Sequence, residues 1–341
     1  MSVSPRIVDI AKAADVSPST VSLALNNKIG VSSALRQKIV DIAVKMGYQN
    51  NSEQYYIDEN VSIRFLQIAK HGHIVNDRHN PFITEYLKSI ETEAKKRKYK
   101  LEISFFNMMP VEEIVAAQKE TKVKGFIVLG TELNAHELEF FLELKTPIVF
   151  IDTYFPFSIY DCIDMDNLDS VFKAVQHFYQ CGHREIGLIK SSYDTRNFKM
   201  REFGFREAME YFFLPVQEKY IISVDPTLEG SSRDIDKYLR KSPGLPTAFF
   251  CMSDIMAYSC IKTLRSYNLS VPDDVSIIGF DDLPASSLYE PPLTSVRVST
   301  RDIGQRAMEK LSRQIALPSK YRPENILIPG NLVVRGSVRV I

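Results

Sequence analysis

The sequence predicts a mixed α/β protein: an all-α helix-turn-helix unit at the N-terminus, then a long α/β core built on parallel strands. Three observations predict it. Residues 5–48 carry three short helical patterns with room for only a two-residue turn between the first two. After residue 60, short apolar runs alternate with helical patterns. Between the two, "QNNSEQYYIDENV" (49–61) shows neither strand alternation nor a helical stripe and reads as a linker. The domains are therefore 1–48, 49–61 and 62–341. A chain of 341 residues suits two or three domains, and 45% hydrophobic residues can fill a core.

The first helix follows from Ile7, Ile10, Ala11 and Ala14, spaced as one apolar stripe. Asp15-Val16 is the turn. In "SPSTVSLALNN", Ser17 is placed as N-cap and Pro18 at the first helical position, where a missing N–H costs nothing. Val21, Ala24 and Leu25 form the buried stripe, so Ser19, Ser22, Leu23 and Asn26 share the opposite face. A third helix puts Leu35, Ile39, Ala43 and Met46 inward, with Gly47 as its C-cap. Two short helices across a tight turn form a helix-turn-helix pattern, whose second helix enters a DNA major groove. Short hydroxyls and amides suit that face because they reach phosphates and base edges without steric cost. A merely polar surface helix remains the alternative.

In the long part, "KGFIVLGT", "TPIVFIDT", "REIGLIKSS", "TAFFCMSD" and "VSIIGFDD" read as buried strands. Each ends in small polar or acidic residues: Thr131, Asp152-Thr153, Ser191-Ser192, Ser253-Asp254 and Asp281-Asp282. Ligands of open α/β sheets bind beyond the carboxyl ends of strands, so five such endings mark a candidate cleft. Any one of them can instead simply cap the next helix.

Charge and cysteine content narrow the class. The formal net charge is zero, which argues against a generic polyanion binder. Residues 1–50 hold six Lys/Arg against three Asp, a local excess of +3 that suits phosphate contacts. Cys162, Cys181, Cys251 and Cys260 show no metal spacing and, without a recognisable signal peptide, read as reduced residues of a cytoplasmic protein. No apolar run approaches a membrane span.

"RIVDIAKAADVSPSTVSLALNN" followed by "VSSALRQKIVDIAVKMGY" strongly resembles the DNA-binding headpiece of the lactose-repressor (LacI/GalR) family of bacterial transcription regulators. "NPFITEYLKSIE", "CGHREIGLI", "REFGFREAM", "VPDDVSIIGFDDLP", "PPLTSVRV" and "LVVRGS" resemble that family's core signatures in the expected order. The likeness covers nearly the whole chain. It implies a two-lobed core like periplasmic sugar-binding proteins, with lobe 1 at about 62–160 and 291–325 and lobe 2 at about 161–290 and 326–341. It also implies a homodimeric repressor on near-palindromic double-stranded operator DNA, with a small-molecule effector of the carbohydrate class held between the lobes. No heptad tail follows residue 337, so a dimer is expected. No cofactor is implied.

Carried over residue by residue, base-reading positions fall on Pro18, Ser19 and Leu23, and backbone contacts on Ile7, Thr20, Ser22, Asn26 and Val31. Position 23 is commonly Arg in the family. Leu23 can only pack apolar surface such as a thymine methyl, so a shifted operator is expected. The hinge also departs from the family pattern. Asn50–Ile57 lacks the proline, small alanines and arginine, and Glu53 would meet a negative groove. Ile57 stands where the family's minor-groove wedge leucine falls, so the segment is either a wedge or a plain linker. The effector cleft draws on Phe82, Ile83 and Asp152, with Asn197, Arg201, Ser253 and Asp281 from lobe 2. Arg201 and Asp281 can alternatively form a structural ion pair. Tyr289 falls in a dimer-packing region, with a buried structural tyrosine as the equal alternative.

Other signals carry less. His71, His73 and His79 lie close in sequence, but without a nearby cysteine or fixed ligand spacing they predict no metal site. "KKRKYK" (95–100) is a basic run at a helix end, where cations sit comfortably. "GHR" (182–184) has no visible nucleophile partner. Three other readings compete: a transport-type binding protein, an α/β enzyme, and a regulator controlled by a protein partner. The headpiece argues against the first, and the lack of an acid–base constellation against the second. Nothing excludes the third.

Overall fold

The computed structural model describes residues 6–25, 30–46, 61–76, 79–241, 244–317 and 321–341. They fall into two compact units, one up to Asp58 and one from Glu59.

The first unit is three helices: α1 (Ile7–Ala14), α2 (Pro18–Leu25) and α3 (Ser33–Lys45). Ile10, Ala11, Ala14, Val21, Ala24, Ile39 and Ala43 make its core. The turn is built by Asp15, which takes a left-handed backbone (φ 58°). Its neighbour Val16 donates its N–H to Ala11 O at 3.0 Å and packs on the core. That pattern ends α1 with an acidic residue in the place glycine usually takes. Ser17 Oγ then accepts the Thr20 N–H at 3.1 Å, so Ser17 is the N-cap of α2 as expected. Met46, expected inward, is 37% exposed because α3 ends one residue before it. Gly47 lies outside the described residues.

The second unit holds two six-stranded sheets. The first runs β11-β5-β4-β3-β1-β2, all parallel. Its strands are β1 (Ser62–Ala69), β2 (Lys100–Asn107), β3 (Phe126–Leu129), β4 (Ile148–Ile151), β5 (Asp161–Asp166) and β11 (Asn325–Pro329). The second runs β12-β10-β9-β8-β6-β7, parallel except for the β10–β12 pair. It comprises β6 (Ile186–Ser191), β7 (Ile221–Val224), β8 (Ala248–Cys251), β9 (Ser276–Asp281), β10 (Thr294–Arg297) and β12 (Asn331–Val333). The helices of the first lobe are α4 (Asn80–Lys96), α5 (Val111–Gln118) and α10 (Thr300–Ala316), and those of the second are α6 (Asn167–Gln180), α7 (Arg196–Tyr211), α8 (Leu228–Arg240) and α9 (Asp254–Ser266). All five strand-like runs of the sequence are strands, and β3, β4 and β8 are buried at every position, as two-sided parallel strands require.

The crossings between sheets lie a few residues later than the expected 160, 290 and 325. β5 and β11 belong to the first sheet, and β10 to the second. The chain therefore crosses after Asp166, after Arg297 and around Gly330. The reason is pairing: β5 stays to bond β4 and β11, and β10 stays to bond β9 and β12. Gly279 in β9 shows how tight the second lobe is. A Cβ there would lie 2.2 Å from Asp254 Oδ1 and 2.9 Å from Leu293 Cδ2. Among the described residues, no helix is long and apolar enough to cross a membrane.

Candidate nucleic-acid interface and inter-lobe cleft

On α2, Pro18 and Ser19 are exposed, while Thr20, Ser22 and Leu23 are half-buried. Ser17 Oγ lies 2.7 Å from Ser19 Oγ and 2.8 Å from Thr20 Oγ1, so the helix start presents a linked row of hydroxyls. Leu23 stays outside the headpiece core, its Cδ1 within 3.8 Å of where a Gly30 Cβ would be. Ile7 and Val31 are partly buried against that core. Sequence reasoning missed Arg36. Its guanidinium donates to Leu23 O at 3.2 Å, Ala24 O at 3.1 Å and Val31 O at 3.4 Å. It thus satisfies carbonyls that the end of α2 leaves open and ties that end to the following loop. Asn26 and Ile57 lie outside the described residues.

In the second unit, Phe82, Ile83, Asp152, Asn197, Arg201, Ser253 and Asp281 all line one cleft of about 500 Å³, its open mouth included. They come from α4 and the end of β4 on one lobe, and from α7, the cap of α9 and the end of β9 on the other. The cleft thus sits where the carboxyl ends of both sheets meet. Thr131, singled out as a strand ending, lines it too.

The cleft polar groups are strongly interlocked. Asp152, with a left-handed backbone (φ 59°), accepts from Tyr86 Oη at 3.0 Å and from Thr131 Oγ1. Burial raises its pKa against the opposing pull of Thr131, Arg201 and Tyr86. Asn197 Nδ2 donates across the lobes to Asp152 O at 3.0 Å, and its Oδ1 accepts from Asn167 at 3.0 Å. Arg201 donates to Asn167 Oδ1 at 3.0 Å and Met252 O at 2.5 Å, and its guanidinium lies 3.7 Å from the centre of the Phe280 ring. Asp281, at φ 103°, holds Arg201 only at 3.5 Å. Burial pushes its carboxyl up to about 8, with Arg201 pulling the other way. Deeper in, burial and the Asp152 charge hold Asp164 well above the carboxylate range. Ser253 caps α9 by accepting the Met256 N–H at 3.4 Å.

His79 lines the same cleft, beside Phe198 and Thr195. Burial, then the Arg201 charge, pushes its imidazole down to about 4, so it is neutral at physiological pH. Sequence reasoning noted His79 only for metal binding, and among the described residues no group of three potential ligands gathers. Thr195 was legible as the N-cap of α7, since its side chain accepts the Phe198 N–H. Tyr289 is held within its own chain, donating to Tyr258 O at 3.1 Å and stacking on Tyr258 at 4.6 Å. "GHR" is structural: His183 is fully buried between Thr247 Oγ1 (2.9 Å) and Arg339 O (3.1 Å). In the basic run, Lys95 pairs with exposed Glu91, and the exposed Lys96 reaches the buried Glu93.

Comparison with known proteins bears on both units. Residues 6–51 match the model described as bacterial regulatory proteins, lacI family, and residues 175–338 match the periplasmic binding protein-like domain. The HTH-type transcriptional regulator DegA of Bacillus subtilis is 31% identical over 97% of this chain and 97% of its own length. The chain belongs to the lacI family of bacterial regulatory proteins. It is thus a DNA-binding transcription regulator of the helix-turn-helix type, and its relatives are regulators, not enzymes. The HTH-type transcriptional repressor PurR of Haemophilus influenzae is 29% identical over 98% of this chain and 99% of its own. Among solved structures, the transcriptional regulator CelR in complex with cellobiose superposes with TM-score 0.73 at 22% identity, over 98% of this chain and 99% of that one. A lac repressor dimer bound to operator superposes with TM-score 0.71 at 21% identity, covering 99% and 100%. These structures agree with the fold: a lacI-family headpiece and a two-lobed periplasmic-binding-like core.

Proposed function

We propose that this regulator is a homodimeric repressor of near-palindromic operators, and that a sugar or similar polyol bound between its lobes controls its DNA affinity. The observation that carries the reading is the convergence of all seven candidate residues, drawn from separate elements, on one cleft. Its chemistry suits a polyol. Asp152, Asn197, Arg201 and Asp281 offer directional hydrogen bonds, while Phe82, Phe198, Ile83 and Leu129 offer an apolar wall. Relatives support the class: CelR is solved with cellobiose, and a LacI-family regulator from Enterococcus faecium with ribose. The repressor assignment is supported by the PurR relatives. On the DNA side, Pro18, Ser19 and Leu23 would read bases. Ile7, Thr20, Ser22, Asn26 and Val31 would contact the backbone, and Ile57 is the candidate minor-groove wedge. Tyr289 would shape the dimer face indirectly, beside Leu288, which is 86% exposed.

The test is selection of bound DNA from a random pool by the full-length protein, repeated with candidate sugars. A near-palindromic consensus that weakens or tightens with one sugar is expected. Enrichment of nothing under any salt or sugar condition would overturn the reading.

A further inference from the structure

We propose that His73, Tyr193 and Asp225 form a proton-sensitive clasp across the mouth of the cleft, and that His73 sets how tightly the two lobes close. His73 sits in the segment that follows β1 in the first lobe. Tyr193 and Asp225 follow β6 and β7 in the second. His73 Nε2 lies 2.9 Å from Tyr193 Oη, and the two rings stack at 4.2 Å with 22° between their planes. On the other edge, His73 Nδ1 is buried with no hydrogen-bond partner, 3.4 Å from Asp225 Oδ2.

Both halves of the clasp are rigidly mounted. The buried Glu132 carboxylate accepts four N–H groups of the His73 segment: Lys70 at 2.6 Å, His71 at 3.1 Å, Ile74 at 3.3 Å and Val75 at 2.8 Å. Ser191 Oγ accepts the Tyr193 N–H at 2.9 Å and donates to Tyr193 O at 3.0 Å. Asp225 Oδ1 is held by the Thr227 N–H and hydroxyl, at 2.9 and 2.6 Å, which leaves Oδ2 toward His73. Ordering entropy has therefore already been lost on each side, and the group that bridges the two sides is the His73 imidazole.

A neutral imidazole carries one N–H; with that N–H on Nδ1 facing Asp225, Nε2 accepts from the Tyr193 hydroxyl, and neither contact pairs two charges. Protonation gives it two. Nε2–H then donates to Tyr193 Oη, and Nδ1–H meets a carboxylate across the lobe boundary, a charge-assisted contact. The other charges nearby are Lys70, His71 and Glu132 on the His73 side, and Arg233 and Asp234 behind Asp225. His71 Nδ1 is 3.3 Å from Glu132 Oε1, so that carboxylate faces His71, while Arg233 and Asp234 pair with each other. Asp225 is thus the carboxylate that answers His73. A protonated imidazole adds a charge-assisted contact across the lobe boundary, so acidification is expected to raise the closed population.

Spin labels on Glu113→Cys in α5 and Glu207→Cys in α7, in a Cys181→Ser background diluted with unlabelled chain, report the inter-lobe distance without any effector. The short-distance population is expected to grow several-fold between about pH 8 and about pH 6. His73→Gln and Asp225→Asn should flatten that response in folded protein, as checked by circular dichroism. Tyr193→Phe should lengthen the distances at both pH values while keeping the direction of the response. Identical wild-type distributions at both pH values, or a His73→Gln variant that keeps the wild-type response, would overturn the clasp. The clasp rests on the cleft reading above only for its consequence on effector affinity. Labels that respond through His73 while no sugar binds would uphold the clasp and count against that reading.

Discussion

Arg201 and Asp281 face each other at 3.5 Å, Nη2 to Oδ1, with side chains only 5% and 8% exposed. The other contacts of Arg201, to Asn167 and Met252, are shorter. Asp281 is therefore loosely held by Arg201, on a left-handed backbone that a non-glycine residue adopts only at a cost. Its carboxyl is pushed up to about 8 by burial, so near neutrality it keeps its proton. A ligand hydroxyl that donates to Asp281 favours the ionised form and expels that proton. Sugar binding should therefore release close to one proton near neutral pH and tighten as pH rises toward 8, measured by calorimetry in buffers of different ionisation enthalpy. Asp281→Asn should abolish the release. Unchanged proton release in that variant would separate Asp281 from the ligand.

The same carboxyl has a stability signature. Its folded pKa lies above its unfolded one, so its contribution is fully present below about pH 4 and is lost as pH rises through 8, with a slope of at most about 1.4 kcal/mol per pH unit. Urea unfolding of wild type between those limits should show the loss, and Asp281→Asn should reduce it.

A second buried acid supports the architecture. Asp254 opens α9 and accepts from Ser286 Oγ at 2.5 Å, Ser295 Oγ at 2.5 Å and the Leu283 N–H at 2.8 Å. It joins α9 to β10 and to the loop after β9. Asp254→Ala would strand three buried donors and should cost about 3–5 kcal/mol of folding stability. Gly279→Ala, whose Cβ would lie 2.2 Å from the same carboxylate, should destabilise the same lobe. Thermal unfolding measures both, and a fully wild-type melting curve for either would refute the packing argument.

His79 works in the opposite pH direction. Its imidazole is buried neutral, with its pKa down at about 4. Stability from that neutral form is present above about pH 6.5 and is lost as pH falls through 4. His79→Gln should flatten the acid limb of the stability profile while leaving the alkaline limb to Asp281 and to Asp254, whose carboxyl is pushed up to about 7 by burial. An unaltered acid limb in that variant would place the titration elsewhere.

The fold was legible where one physical signal dominated. Fully buried β3, β4 and β8 read as uninterrupted apolar runs, and α1 and α2 read from stripe and cap. The crossings were displaced because β5, "DCIDMD", and β11, "NILIP", mix polar and apolar residues and carry no clear period. Their placement depends on non-local pairing that no window of sequence records. Ser191-Ser192 does not line the cleft, but the other four of the five strand endings, at Thr131, Asp152, Ser253 and Asp281, announced it. His79 and the His73–Tyr193–Asp225 group did not, because each depends on loops brought together by the meeting of two lobes. Arg36 was hidden for a similar reason: its partners are backbone carbonyls, which leave no trace in side-chain spacing.

At the headpiece, Arg36 and Leu23 separate affinity from specificity. Arg36 bonds three carbonyls around the end of α2, among them that of Leu23 itself. Charge-assisted hydrogen bonds contribute about 1.5–3 kcal/mol each when desolvated, and less here, where the site is half open to water. Arg36→Ala should therefore weaken binding to the selected operator by roughly tenfold across all sequences, with the melting of the core unit unchanged. Lysine should rescue it poorly, since one ammonium cannot reproduce the guanidinium fork. Leu23→Arg acts differently. It replaces an apolar side chain on the proposed base-reading surface with one that can grip guanine in bidentate fashion, worth about 1–3 kcal/mol of discrimination at one base pair. The preferred base there should change while the rest of the consensus holds. Repeating the random-pool selection with Leu23→Arg measures it, and an unchanged base preference would remove Leu23 from the reading surface.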